Sequence, residues 1–503
     1  MKGALMRQGD MPPAGTGTGG FEMTQASEKY AAEIEKYVRE HRQELVDILI
    51  EMIAVPSVKG PALPGMPFGE NCARALEKGM EVCRRYGMQT ECYDNYAASA
   101  RCGSGDKEIG FIAHLDVVPV SDGWSSDPFT GIERDGFVVG RGSRDNKAGF
   151  AAALMAVNCV RALGVPLRSS LRILMGSDEE CGMSDMVYVV KNCPLPDFSV
   201  VTDCYFPVAH GEKGRVCGDI VMEINTEKLR MEGGQAPNII PDACAAVLPG
   251  RAAQAQTVRA AAASFEGIAV REDGADLVVE AQGVSAHASE PFKAVNAIHR
   301  LAAFLADAGL LEGREARAVE YIKMAFGTYY GEGFGIQYED EASGKTTLIP
   351  GVVRTQGGAL RVTLDSRYSV TDKRARVLPL IASSVEAAGW RFEVHEATDS
   401  HYIPGDHPVA QRLTEVFNAV TGEHKKPYVL AGGTYASKVP NSVAFGPGNA
   451  KEPSMMPYGP GHGDAHQPDE SQHIGCLMDA VRIYALGIIE LDDILHAAPA
   501  QGV

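Results

Sequence analysis

The apolar positions of the chain fall into two textures. Up to about residue 212, apolar residues spaced three and four apart alternate with short unbroken apolar runs. That is the pattern of amphipathic helices alternating with buried strands. "QASEKYAAEIEKYVREHRQELVDILIEMIAVPSV" (25–58) predicts a helix ending near Pro56, and a second helix is predicted over about 70–87. "EIGFIAHLDVVPV" (108–120) predicts a strand with a loop at its end. "AGFAAALMAVNCVRALG" (148–164) predicts a helix, and "SLRILMGSDEE" (170–180) a strand followed by a loop. "FSVVTDCYFP" (198–207) predicts a further strand that ends in an acid. The expected fold is α/β, with a central, mostly parallel sheet flanked by helices. Its chemistry is expected at the C-terminal ends of the strands.

The texture changes near residue 213. From there to about 394, alternating runs such as "DLVVEAQGVSAH" and "ALRVTLDSRYSV" are each followed by a helix, an α+β pattern of ferredoxin-like flavour. The first texture returns in "HPVAQRLTEVFNAVTG", "PYVLAGGTYASKV" and the last helix, "IGCLMDAVRIYALGIIELDDIL". One domain is therefore expected to interrupt another. The organisation reads as a disordered tail over 1–24, a first catalytic segment over 25–212, an inserted domain over 213–394 and a second catalytic segment over 395–495. The insert is long for one small unit and is expected to comprise two half-units, about 213–312 and 313–394.

Charge and cysteine usage narrow the partners. A net charge of −18 over 503 residues argues against nucleic acid or an anionic membrane as the main partner. No apolar run reaches about 18 residues, so no membrane span is expected. The first twenty residues lack the apolar core of a signal peptide. Eleven scattered cysteines with no CxxC pair fit the reduced thiols of a cytoplasmic protein.

The candidate chemistry sits where the predicted strands end. "LMGSDEECG" carries three consecutive acids, Asp178, Glu179 and Glu180, directly after a buried strand. Adjacent carboxylates repel unless something positive sits among them, so the segment suggests a cation or a proton-transfer site. Four other segments join it. "AHLDVVP" carries His114 and Asp116, two apart and on the same side of an extended chain. "GRGSRDNKAG" carries Asp145 before a helix, "VVTDCYFP" carries Asp203, and "HGDAHQPDE" carries His466. Taken singly, each has an ordinary reading; Asp145, for instance, could simply cap a helix. Together they supply two histidines and three carboxylates, with one Glu and one Asp to spare. Mixed nitrogen and oxygen ligation without cysteine suits Zn²⁺, Mn²⁺ or Co²⁺, and five ligands suit two ions sharing a carboxylate and a water.

These motifs resemble the co-catalytic di-metal aminoacylase/carboxypeptidase/dipeptidase family of metallopeptidases and look closest to its bacterial dipeptidase V branch. The resemblance runs over about 25–490, through "AHLDVVP", "GWSSDPFTGIERDGFVVGRGSRDNK", "GSDEECG", "TDCYFPVAHGEKG", "GVSAHAS", "DSRYS", "GGTYA" and "AHQPDE". It implies a zinc-peptidase-like catalytic domain carrying a lid, and two divalent ions, with Zn²⁺ ahead of Mn²⁺ or Co²⁺. His114, Asp145 and Asp203 would hold one ion. Asp145, Glu180 and His466 would hold the other, with Asp145 bridging. Glu179 would be the base and Asp116 the orienting partner of His114; in the dipeptidase V branch an acid near the metals also meets the substrate's amino group, and Asp116 is the candidate. A cis peptide is implied at Asp145–Asn146. In the lid, His287 would stabilise the tetrahedral oxyanion and Arg367 would clamp the α-carboxylate. Asn238 would assist, and Gly433 and Thr434 would line the same pocket.

The implied activity is hydrolysis of dipeptides with free termini by a cytoplasmic enzyme. Its double-length lid would let one chain supply the whole site, as a catalytically self-sufficient monomer. An N-acyl amino acid or succinyl-diaminopimelate deacylase would use the same residues, and a peptide-binding sensor would be expected to have lost one of them. Three departures from the family pattern stand out. "DNKAG" replaces the commoner D-D-K-G, Cys204 and Tyr205 follow Asp203, and His462 is a rival ligand to His466.

Overall fold

The computed structural model describes residues 23–448, 458–459 and 461–497. The tail expected to be disordered over 1–24 lies outside the described residues as far as residue 22. Thr24 is described: its hydroxyl accepts from Ser27 N–H and caps the helix Gln25–Glu40. The single helix expected over 25–58 is broken. Gln25–Glu40 and Arg42–Ile53 are separate helices that meet at His41, whose φ of −105° leaves the helical range. The His41 ring stacks on Tyr37, which holds the break in place.

The chain divides into two compact units, Met1–His210 with Ile403–Val503, and Gly211–Tyr402. In the first unit, strands Ser170–Gly176, Glu108–His114, Phe198–Val201 and Ser442–Phe445 lie side by side, all parallel. Antiparallel strands Gln89–Tyr93 and Ala97–Cys102 extend the sheet beyond 170–176. Both 108–114 and 170–176 are buried at every residue, as strands covered on both faces must be. Ile109, Phe111 and Ala113 turn towards helices Lys147–Ala162 and Ile474–His496. Ile112, Leu174 and Val201 turn to the other face, against Met186, Val189 and Tyr435. Side-chain alternation along each strand thus feeds two separate cores. Because the four central strands are parallel, the loops carrying Asp116, Glu179–Glu180 and Asp203 leave from the same edge.

The second unit is an eight-stranded sheet in which every pairing is antiparallel. Helices Ala255–Ala262, Ala297–Asp307, Gly313–Ala325 and Arg374–Ala387 contribute to its one large apolar core. The expected half-units do not separate at 312. Strand Gly214–Glu223, from the first half of the segment, is inserted between Ala359–Tyr368 and Arg391–Thr398 of the second. A single continuous hydrophobic face favours that arrangement over two independent cores. Strand 391–398 forms the sheet edge, which carries the unit beyond the expected boundary at 394. Among the described residues, no helix is long and apolar enough to cross a membrane.

One close approach positions the site. Gly149 lies in the first turn of helix 147–162, against the end of strand 198–201. A Cβ there would meet Thr202 Oγ1 at 2.5 Å and Asn146 Oδ1 at 2.6 Å. Gly149→Ala should therefore destabilise the protein by about 1–3 kcal/mol, read as a lower urea midpoint. An unchanged midpoint would show that this helix does not need to seat so closely.

Candidate metal centre

Each strand end delivers its side chain to one cluster. His114 closes strand 108–114 and is fully buried. Its Nε2 lies 2.9 Å from Asp145 Oδ1 and 3.6 Å from Asp203 Oδ2. Its Nδ1 faces the backbone carbonyl of Asp116 at 3.0 Å and the Asp116 carboxylate at 3.5 Å. Nδ1–H donation leaves the Nε2 lone pair towards the acids, the tautomer a metal ligand needs. On the other side of Asp145, Oδ2 lies 3.2 Å from His466 Nε2, which is also 3.1 Å from Glu180 Oε2. One carboxylate thus offers one oxygen to each histidine. His466 sits at a φ of 65°, unusual for a residue with a side chain, and this conformation turns its ring into the cluster.

Ligand atoms of His114, Asp145 and Glu180 lie within 4.8 Å of one another, and so do those of His114, Glu179 and Asp203. The donor chemistry fits divalent cations: imidazole nitrogen and carboxylate oxygen, crowded and largely buried. The electrostatics agree. Burial, then the charge of Asp203, pushes the Glu179 carboxyl well above its ordinary range. Burial and then Asp145 push Asp203 up to about 7. Hydrogen bonds to Asp145 and Glu180 raise His466 to about 10. For His114 burial acts downward, but Asp116, Asp145 and Asp203 together raise it well above its usual value. Without a cation, protons must occupy this cluster.

The surroundings bear on several of the sequence readings. The Asp145–Asn146 peptide is cis. Asn146, a departure from the family pattern, donates from Nδ2 to Asp203 Oδ1 at 2.9 Å and also to the Thr202 carbonyl. An aspartate there could not donate in this way. Asp116 is 1% exposed, and its two oxygens accept the backbone N–H groups of Glu179 (3.2 Å) and Glu180 (3.1 Å). It shapes the glutamate turn as much as it orients His114. The rival His462 pairs instead with Asp469 at 3.1 Å.

Sequence reasoning missed Glu470, which ends the quoted "AHQPDE". It is fully buried and accepts from the backbone N–H of Gly142 (3.1 Å), Arg144 (2.9 Å) and Asp145 (3.0 Å), and from Arg141 Nη1 at 2.6 Å. It moulds the loop that presents Asp145. The only sequence signal was one more acid in an acidic motif. Tyr205 is exposed, and Arg144 donates to its hydroxyl at 2.8 Å.

The remaining candidates are placed as follows. In the second unit, strands 239–240 and 286–287 pair Ile239 opposite His287, and Asn238 accepts from Ala288 N–H at 2.9 Å, so Asn238 and His287 are neighbours. His287 Nδ1 accepts from Ser289 N–H at 3.2 Å. Burial, then the charge of Arg367, pushes the His287 imidazole below its ordinary range. Arg367 is buried and donates from Nε to Asp365 at 2.7 Å. In the first unit Thr434 is buried, and its hydroxyl caps the turn Tyr435–Ser437 by accepting from Ala436 N–H. Gly433 beside it is exposed.

Among known proteins, the chain matches Peptidase family M20/M25/M40 over residues 110–490. It is 31% identical over 469 residues to a Bacillus subtilis (strain 168) protein named "Putative dipeptidase YtjP", covering 90% of this chain and 97% of that one. It is similar in structure to human carnosine dipeptidase 1, with a TM-score of 0.53 at 15% identity over 92% of this chain and 99% of that one. It is likewise similar to an M20 family metallo-carboxypeptidase from Sulfolobus solfataricus, with a TM-score of 0.53 at 17% identity over 90% and 99%. At such identities the two structures speak for the fold alone.

The raised histidines give a testable sign. His466, raised from its ordinary 6.5 to about 10, stabilises the metal-free protein fully below about pH 6.5 and loses that effect as pH climbs through 10. At pH 7 it therefore holds a proton that a cation must displace. Titrating Zn²⁺ into metal-free protein in weakly buffered dye solution should release protons, and affinity should fall as pH drops from 8 to 6. Uptake without proton release and without pH dependence would contradict this arrangement.

Proposed function

The chain belongs to Peptidase family M20/M25/M40 and is a metallopeptidase; from that premise we propose that it hydrolyses dipeptides with a free amino end and a free carboxylate, using two divalent ions. The observation that carries the reading is Asp145, with one carboxylate oxygen towards His114 and the other towards His466. His114, Asp145 and Asp203 would hold one ion, and Asp145, Glu180 and His466 the other. Zn²⁺ is the first candidate, with Mn²⁺ or Co²⁺ as alternatives. When bound, the pair would polarise the scissile carbonyl and ease deprotonation of an attacking water.

The chain's own residues do the rest. Glu179 takes the proton from the attacking water and passes it to the leaving amine. A carboxyl whose proton affinity is raised by burial suits both halves of that transfer. Asp116 fixes the turn from which Glu179 reaches the reacting atoms. His287 would donate to the oxyanion. With Nδ1 held by Ser289, the tautomer that carries its proton on Nε2 is the one this task needs. Arg367, aligned by Asp365, would meet the substrate carboxylate as a planar fork, with Asn238 beside His287. Gly433 and Thr434 would line the pocket wall through backbone, since the Thr434 hydroxyl caps its own turn. A self-sufficient monomer working in the cytoplasm is the assembly and location that go with this proposal.

Glu179 is close enough to His114 and Asp203 to be tested as a ligand as well as a base. Glu179→Gln should lower kcat on Ala-Ala by about 10²- to 10⁴-fold while metal content, measured by atomic emission, stays the same. Loss of an ion in the variant would reassign Glu179 to ligation. The wild-type enzyme should cleave Ala-Ala but not Ala-Ala-Ala, N-acetyl-Met or N-succinyl-diaminopimelate. Cleavage of only the acylated compounds would move the chain to a deacylase role at the same site.

A further inference from the structure

The metal centre has a brace that neither touches metal nor meets substrate, and resting on the reading above we propose that the buried pair Tyr435–Asp185 is a positioning device for it. Tyr435 comes from the second chain segment of the first unit and is fully buried. Its hydroxyl donates to Asp185 Oδ2. The same oxygen accepts the backbone N–H groups of Ser177 at 2.6 Å and Asp178 at 2.9 Å. The other oxygen accepts Met186 N–H at 2.7 Å. One carboxylate oxygen therefore fixes the two peptide groups that lead into Glu179 and Glu180, and Tyr435 fixes that oxygen.

The tyrosine ring also stands edge-on to His114, with centroids 6.3 Å apart and planes at 90°. A single side chain thus contacts the imidazole at the end of one strand and anchors the turn at the end of the next. Those strands are paired in register, with His114 opposite Gly176. Gly176 leaves the room: a Cβ there would overlap the Tyr435 hydroxyl and come within 2.6 Å of Asp185 Oδ2. Ligands of a two-ion site must be held to within about 0.5 Å, and groups behind the ligands supply that rigidity. Tyr435 links the histidine and the glutamates, which come from different loops, through one buried hydroxyl.

The test is Tyr435→Phe, which removes the hydroxyl and keeps the ring. Tyr37→Phe is the control, because its buried side chain carries a hydroxyl that accepts from Asn158 Nδ2 at 2.8 Å, with no group of the metal cluster among its charged neighbours. Tyr435→Phe should weaken Co²⁺ affinity by about 10- to 100-fold and shift the visible absorption of the Co²⁺-loaded protein. At saturating metal it should lower kcat on Ala-Ala with KM little changed. Tyr37→Phe should match the wild type in affinity, spectrum and kcat. Asp185→Asn, which keeps the size of the acceptor, should move the same readouts in the same direction, and carries the comparison if Tyr435→Phe does not fold. A Tyr435→Phe protein with wild-type affinity, spectrum and kcat, changed only in thermal midpoint, would overturn the proposal alone. A wild-type protein that takes up no Co²⁺ would overturn the metal reading and the proposal together.

Discussion

The organising constraint is the crowding of half-buried carboxylates around Asp145. Glu179, Glu180 and Asp203 converge with it on two imidazoles, and burial and mutual repulsion raise the proton affinity of all three. Such an arrangement persists only if positive charge is supplied, by protons in the bare protein or by the cations proposed above. The parallel sheet gathers the acids, and those cations would justify keeping them together.

Several layers of hydrogen bonding turn that crowding into defined geometry. Glu470 gathers three backbone N–H groups of the loop before Asp145. Asp116 takes the two N–H groups of the glutamate turn, and Asn146 pins Asp203. Buried acids thus serve as acceptors for backbone that would otherwise be unsatisfied. These bonds tie the loops that carry the candidate ligands to one another and to their strands. The second unit uses different means: an antiparallel sheet with one continuous core carries His287 on a two-residue ladder and Arg367 within a long strand.

Much of this was legible in the sequence. The buried strands 108–114 and 170–176 announced themselves as unbroken apolar runs. The acids at their ends stood out because acids are rare directly after buried strands. Most of what stayed hidden depends on contacts between residues far apart in the chain. The break at His41 follows from stacking on Tyr37, a local packing choice that helical periodicity does not encode. The insertion of strand 214–223 among later strands is set by long-range pairing. Glu470 and Asp185 look like any other acids until the backbone groups they serve are known. Asp116 was identified, but its burial beneath the glutamate turn was not.

The central claim is that Asp145 joins two cations held by His114 and His466. The most direct measurement is an anomalous-difference map of crystals of the wild-type protein loaded with Zn²⁺, collected on both sides of the zinc edge. The account predicts two peaks a few ångström apart, one beside His114 and Asp203, the other beside Glu180 and His466, with Asp145 between them. A single peak, or two peaks that do not share Asp145, would contradict it.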